Sequence, residues 1–234
     1  MTEERKIICP EMYFNSFLTV RDRMSEFPQD VVKKEPMFFN SSLAFAYEHG
    51  GPITREFLAR LDPVWHDEPA VLDSRVHMLM PGWYPAIPGW HHDDVPRPNQ
   101  SKAAHFGAAG QPDYVTPAYH SLHMLALVGA PVSITEFAIG NLTLPAVYEG
   151  EITYGKWSPK VEEAIVQRRL SRWTPRMGDM VSFDAHSFHR SVPSIGSGWR
   201  WFCRVSRNTL RTDTITNELR TQVQVYIGDP EKGW

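Results

Sequence analysis

Cysteine is scarce in this chain: Cys9 and Cys203 are its only thiols, far apart in 234 residues. Two distant cysteines make neither a disulfide framework nor a structural zinc motif, and a reducing cytoplasm is the compartment this usage predicts. Long apolar runs are missing as well. No segment approaches the length of a membrane span, and the opening "MTEERKIICPEMYF" carries acidic residues and no apolar stretch of leader length. Nor does one sign of charge dominate, since 24 Lys and Arg stand against 27 Asp and Glu, a formal net charge of −3. That balance gives no reason to expect a nucleic-acid or membrane-surface partner and leaves a small molecule as the expected one. No repeat or low-complexity stretch divides the sequence, so one domain over 1–234 is expected, with its core at about 70–210.

Proline and aromatic side chains are what the chain has in quantity. Its 19 prolines argue against a helical bundle. Short runs read as strands: "LHMLALVG", "VSITEFAIG", "DMVSFD", "FHRSVP", "WRWFCRVS" and "TQVQVYI". Helices are expected at "ITREFLARLD" and, opening on Ser and Pro, at "SPKVEEAIVQRRLSRW" over 158–170. Short strands, few helices and long connections predict a mainly β sandwich or barrel of the jelly-roll kind. In "VLDSRVHMLM" the alternation puts Leu72, Val76, Met78 and Met80 on one face and Asp73, Arg75 and His77 on the other. A polar face opposite an apolar one suits a barrel whose interior is a site.

The stretch "GWHHDDVPRP" sets two histidines and two aspartates in a row. On a strand, positions i and i+2 share a face. His91 can therefore act with Asp93, or His92 with Asp94, and spacing alone leaves both pairs open. A third ligand would complete the two-His-one-carboxylate triad of non-haem Fe(II) sites. His189 can bring it from "FHRSVP", with His186 the other candidate. Arg200 and Arg204 lie four apart on the next strand and face one side, where two guanidiniums call for an anion.

Taken in order, "WHHD" at 90–93, "GDMVSFDAHSFHRSVP" at 178–193 and "GWR" at 198–200 resemble the Fe(II)/2-oxoglutarate-dependent oxygenases. That family carries His-x-Asp/Glu, a distal His and a later Arg on a double-stranded β-helix. The likeness extends over roughly Arg75 to Ser206. Several members place Trp directly before the ligand His, which selects His91 and Asp93 over His92 and Asp94. The distal ligand then falls on His189 and leaves His186 in the turn. The resemblance implies a double-stranded β-helix core with flanking helices, Fe(II) on His91, Asp93 and His189, and 2-oxoglutarate and O2 as co-substrates. Arg200 would hold the far carboxylate of 2-oxoglutarate, and Arg204 either an acidic group of the substrate or a salt-bridge partner. It implies hydroxylation of a small molecule with release of succinate and CO2. A cupin-like metal enzyme that uses no 2-oxoglutarate would not need Arg200, and a non-catalytic barrel would not need the ligand set. His77, His120 and His123 read as hydrogen-bonded barrel histidines, with His123 the candidate for a supporting role. The loops at 95–118 and 141–158 are expected to shape the pocket.

Overall fold

The computed structural model describes residues 5–97, 111–115 and 120–227. The N-terminal third runs β1 (Ile7–Cys9), β2 (Met12–Ser16), β3 (Leu18–Arg23), α1 (Gln29–Lys34), β4 (Met37–Phe39), β5 (Ser41–Ser42), α2 (Leu43–His49), α3 (Pro52–Ala59), α4 (Val64–Asp67) and β6 (Ala70–Leu79). The remainder runs β7 (Leu122–Gly129), β8 (Thr135–Leu144), β9 (Val147–Tyr148), α5 (Thr153–Val166), β10 (Ser171–Trp173), β11 (Asp179–Asp184), β12 (His189–Ser191) and β13 (Gly198–Arg207). A 3-10 turn at Leu210–Thr214 and β14 (Glu218–Arg220) close it.

Two antiparallel sheets form the jelly-roll core. The larger has the order β3-β11-β7-β13-β6-β5, and the smaller the order β10-β8-β12 with β2 also paired to β8. Period-two alternation decides which side each residue serves. Along β13, Trp201, Cys203 and Val205 enter a core shared with Val32, Phe57, Leu58 and Trp65 of the N-terminal helices. The intervening Arg200, Phe202 and Arg204 face a cavity inside the sandwich. Strand β7 divides in the same way. Met124, Ala126 and Val128 meet the helices, while Leu125 and Leu127 meet Phe137, Val181 and Phe183 between the sheets. Helices thus cover the outer face of the large sheet, and α5 packs outside the small one through Tyr154, Trp157, Val161 and Ala164.

The N-terminal segment contributes more than flanking helices. Strand β3 extends the large sheet through β11, and β2 lies along β8 in the small one. Where β11 begins, Gly178 adopts φ 87°, a left-handed conformation that favours glycine, and its N–H bonds to the Leu127 carbonyl.

Three sequence expectations need correction. The second long helix starts at Thr153 rather than Ser158 and ends at Val166, because the buried stripe Tyr154–Trp157–Val161–Ala164 carries the helical period back past Pro159. Its expected end, Ser171–Trp173, is instead strand β10, paired to β8. "TQVQVYI" forms no strand: only Tyr226 bridges, to Tyr84, and the ladder at this end is β14 on β4. The span 141–158 is largely β8, β9 and the start of α5, and none of it lines the cavity. Among the described residues no helix is long and apolar enough to cross a membrane.

Candidate metal centre

The segment that carries the candidate ligands is fixed from its tryptophan. Trp90 is fully buried, its indole N–H donates to Glu162 of α5 (2.9 Å), and its backbone N–H donates to the Ser158 hydroxyl (3.0 Å). Arg190 stacks on the indole at 4.4 Å and pairs with the same Glu162 at 3.0 Å. The next residue, His91, bridges to His189 of β12 through both backbone hydrogen bonds. The chain does not continue as a strand. It bends at Asp93 and Asp94, with Asp94 at φ 54°. The two overlapping pairs are therefore parted by a turn rather than by the pleat.

His91, Asp93 and His189 offer ligand atoms that all lie within 4.8 Å of one another, a group able to hold a metal ion. His92 goes elsewhere. Its ring packs on Phe188 at 3.8 Å between centroids, and its Nδ1 lies 2.7 Å from the Tyr114 hydroxyl. Asp94 pairs with Arg204 and Arg211, each at 3.5 Å. His186 packs beside Phe14 and His120, outside the group. His123 is buried between the hydroxyls of Ser206 (2.8 Å) and Ser121 (3.2 Å).

The chemistry of the donor set fits a cation. His91 Nδ1 lies 2.8 Å from the Gly89 carbonyl and His189 Nδ1 lies 2.9 Å from the Ser187 carbonyl. A carbonyl only accepts, so each Nδ1 carries a proton and each Nε2 is the ring atom turned toward Asp93, the arrangement that orients metal-binding imidazoles. His189 Nε2 lies 3.0 Å from Asp93 Oδ2. Desolvation alone would raise the Asp93 carboxyl, but Arg204 and His189 outweigh it and hold it well below the usual range. Burial, with His189 beside it, pushes His91 down to about 4, so its ring is neutral and available as a ligand at neutral pH.

A cavity of about 270 Å³ opens beside the triad, lined by all three residues and by Arg200, Arg204, Leu125, Thr135 and Phe202. It is at the small end of ligand pockets, which run from roughly 300 to 1,000 Å³. The β6 face predicted to be polar lines it too, through Asp73, Arg75 and His77. Arg204 binds Asp93 directly and approaches Asp73 at 3.9 Å, so the chain's own carboxylates occupy it. Arg200 differs. It is buried, donates to the Ser133 carbonyl at 3.0 Å, and pairs with no carboxylate among the described residues. Burial and the neighbouring Arg75 push it down to about 9, still charged at neutral pH. Sequence reasoning missed Arg211, Arg220 and Tyr226, which also line the cavity but follow the motif, Tyr226 in a stretch read only as a strand. Of the loops expected to shape the pocket, residues 98–110 and 116–119 lie outside the described residues. Among the described residues, the segment Pro85–Ile87 lines it.

Asp73 ties this wall together, accepting from Arg211 and from the Asn40 backbone N–H (3.0 Å). Burial alone would raise its pKa, but Arg211 and Arg204 outweigh burial and hold it below 3.8. A depressed folded-state pKa stabilises above the unfolded value and is lost as pH falls through the folded one. Asp73→Asn is therefore expected to cost about 3 kcal/mol at neutral pH, as for breaking a buried ion pair. In urea titrations that gap should narrow steadily below about pH 4. A gap that stays constant into acid would show that Asp73 stabilises by packing rather than by charge.

Comparisons with protein-family models and with curated proteins find no match. Among solved structures the chain is similar to EvdO2 from Micromonospora carbonacea var. aurantiaca, crystallised with 2-oxoglutarate. The identity is 13% over 68% of this chain, with a TM-score of 0.37. The match spans 61% of that protein, less than two thirds of its length. A likeness of this degree carries no argument about activity, and the functional reading rests on the residues of the site.

Proposed function

We propose that the protein is a non-haem Fe(II)- and 2-oxoglutarate-dependent oxygenase that hydroxylates a small molecule with release of succinate and CO2. The observation that carries this reading is the group His91, Asp93 and His189, with ligand atoms all within 4.8 Å of one another, on a cavity that also holds Arg200. Fe(II) would be held by His91, Asp93 and His189. When bound with 2-oxoglutarate and O2, it supplies the oxidising chemistry.

The chain's own residues do the rest. The Gly89 and Ser187 carbonyls fix the two imidazoles, and Arg204 keeps Asp93 ionised and turned toward them. Arg200, on the cavity wall, would orient 2-oxoglutarate by taking its far carboxylate on a planar fork. Leu125 and Phe202 supply apolar surface on an otherwise largely charged wall. A carboxylate at position 93 occupies the place that a halide needs, which favours hydroxylation over halogenation. The cupin-like alternative gives no use to a buried Arg200 without an acidic partner. A reducing cytoplasm suits the two buried free thiols.

Aerobic incubation with Fe(II), ascorbate, 2-oxoglutarate and a metabolite extract tests the reading. Succinate and a product heavier by one oxygen are expected. Absence of both, at full iron loading, would contradict it.

A further inference from the structure

The cavity wall is divided by charge. Arg204 and Arg211 are paired with Asp73, Asp93 and Asp94. Arg75, Arg200 and Arg220 line the same cavity, and among the described residues none of them has an ion-pair partner. The Nε of each is buried without a hydrogen-bond partner.

Strand register brings them together. Arg200 stands opposite His77 and Phe202 opposite Arg75 across the β13–β6 ladder, so Arg75 is a diagonal neighbour of Arg200 on the same face. Diagonal positions are about 7–8 Å apart, within reach of long side chains. Arg220 enters from β14, its guanidinium stacked on Phe39 at 4.3 Å. The mutual strain appears in all three neighbours. Arg200 is shifted down by burial and Arg75, and Arg220 by burial and Arg75. His77 is pushed to about 3 by burial and by Arg200 and Arg75, which keeps its ring neutral.

Arginine does not shed its charge at neutral pH, so cations gathered in a cavity call for anions. The far carboxylate of 2-oxoglutarate neutralises one of the three. We propose that the prime substrate is itself an anion, a small molecule whose carboxylate or phosphate group is held by Arg75 and Arg220 beside the co-substrate. This rests on the oxygenase reading above, which commits Arg200 to 2-oxoglutarate.

The test loads the protein with redox-inert Mn(II) and saturating 2-oxoglutarate, then titrates phenyl phosphate, benzoate and the neutral benzamide by calorimetry. At least one anion should bind about tenfold or more tightly than benzamide, and the tighter of the two names the group. Arg75→Gln and Arg220→Gln should each weaken it by about ten- to hundredfold, with 2-oxoglutarate affinity within about twofold of wild type. Arg75→Lys and Arg220→Lys, which keep the charge but not the fork, should retain part of the affinity and carry the test if the Gln variants do not fold. Equal binding of benzamide, or unchanged anion affinity in the variants, overturns the proposal. So does an anion that binds only by displacing 2-oxoglutarate, since the three arginines would then serve one slot. If wild type binds no 2-oxoglutarate, the oxygenase reading fails instead. The same titration without co-substrate or metal then still decides whether Arg75 and Arg220 hold an anion.

Discussion

Asp93→Asn and His189→Ala are expected to leave a protein that no longer retains Fe(II) through dialysis, whereas Asp94→Asn retains it. The neighbouring aspartates are chemically alike, and only their surroundings separate them. Asp93 lies 3.0 Å from one imidazole Nε2 and 3.9 Å from the other. Asp94 turns away at φ 54° to Arg204 and Arg211. Asparagine tolerates that conformation, so the second variant tests charge rather than backbone. Losing an outer partner of a metal ligand costs about 10–100-fold in affinity, and losing the ligand itself costs more. Asp94→Asn should show its effect in thermal stability instead, because it takes one of their carboxylate partners from both Arg204 and Arg211. Metal content after anaerobic dialysis, read beside a thermal melt, checks both. Iron kept by Asp93→Asn and lost by Asp94→Asn would move the centre to the other pair.

Arg200→Ala should leave iron binding intact and raise the 2-oxoglutarate dissociation constant by tens- to thousands-fold. Truncating one member of a buried charge-assisted contact costs about 2–5 kcal/mol, which converts to that range. The side chain is buried, and among the described residues it donates only to the Ser133 carbonyl. Lysine at 200 should recover part of the affinity through its charge but lacks the two parallel donors. Arg204 makes the natural control. Its bond to Asp93 means that truncating it should disturb the metal as well as the co-substrate. Equal 2-oxoglutarate affinity in Arg200→Ala and wild type would remove Arg200 from the slot.

The residues that met by strand alternation were legible in the sequence. The pleat of β6 and β13 sets Asp73, Arg75, His77, Arg200 and Arg204 toward one interior. The choice between His91–Asp93 and His92–Asp94 is left open by alternation, and only the resemblance at Trp90 favours the first pair. The pleat argument assumes a strand, and here the chain makes a single bridge at His91 and then bends. What decides is the burial of His92 among Phe188, Tyr114 and Phe14, contacts between segments far apart in sequence. Helix α5 was misplaced because Ser158–Pro159 imitates a helix start. The buried stripe beginning at Tyr154 outweighs the missing Pro159 donor. Arg211, Arg220 and Tyr226 gave no signal of a site: the strand expected around Tyr226 is a single bridge, and β14 pairs only briefly.

The central claim is that one cavity holds iron on three side chains and a keto acid on iron and Arg200 together. Anaerobic titration of the Fe(II)-loaded protein with 2-oxoglutarate tests it most directly, because a keto acid chelated to ferrous iron produces a weak visible charge-transfer band. The account predicts a band that grows to saturation at about one 2-oxoglutarate per iron, as expected for one site per chain. It should be absent in His189→Ala and shifted to much higher 2-oxoglutarate concentration in Arg200→Ala. Iron that binds at the triad with no band at any 2-oxoglutarate concentration would contradict the account.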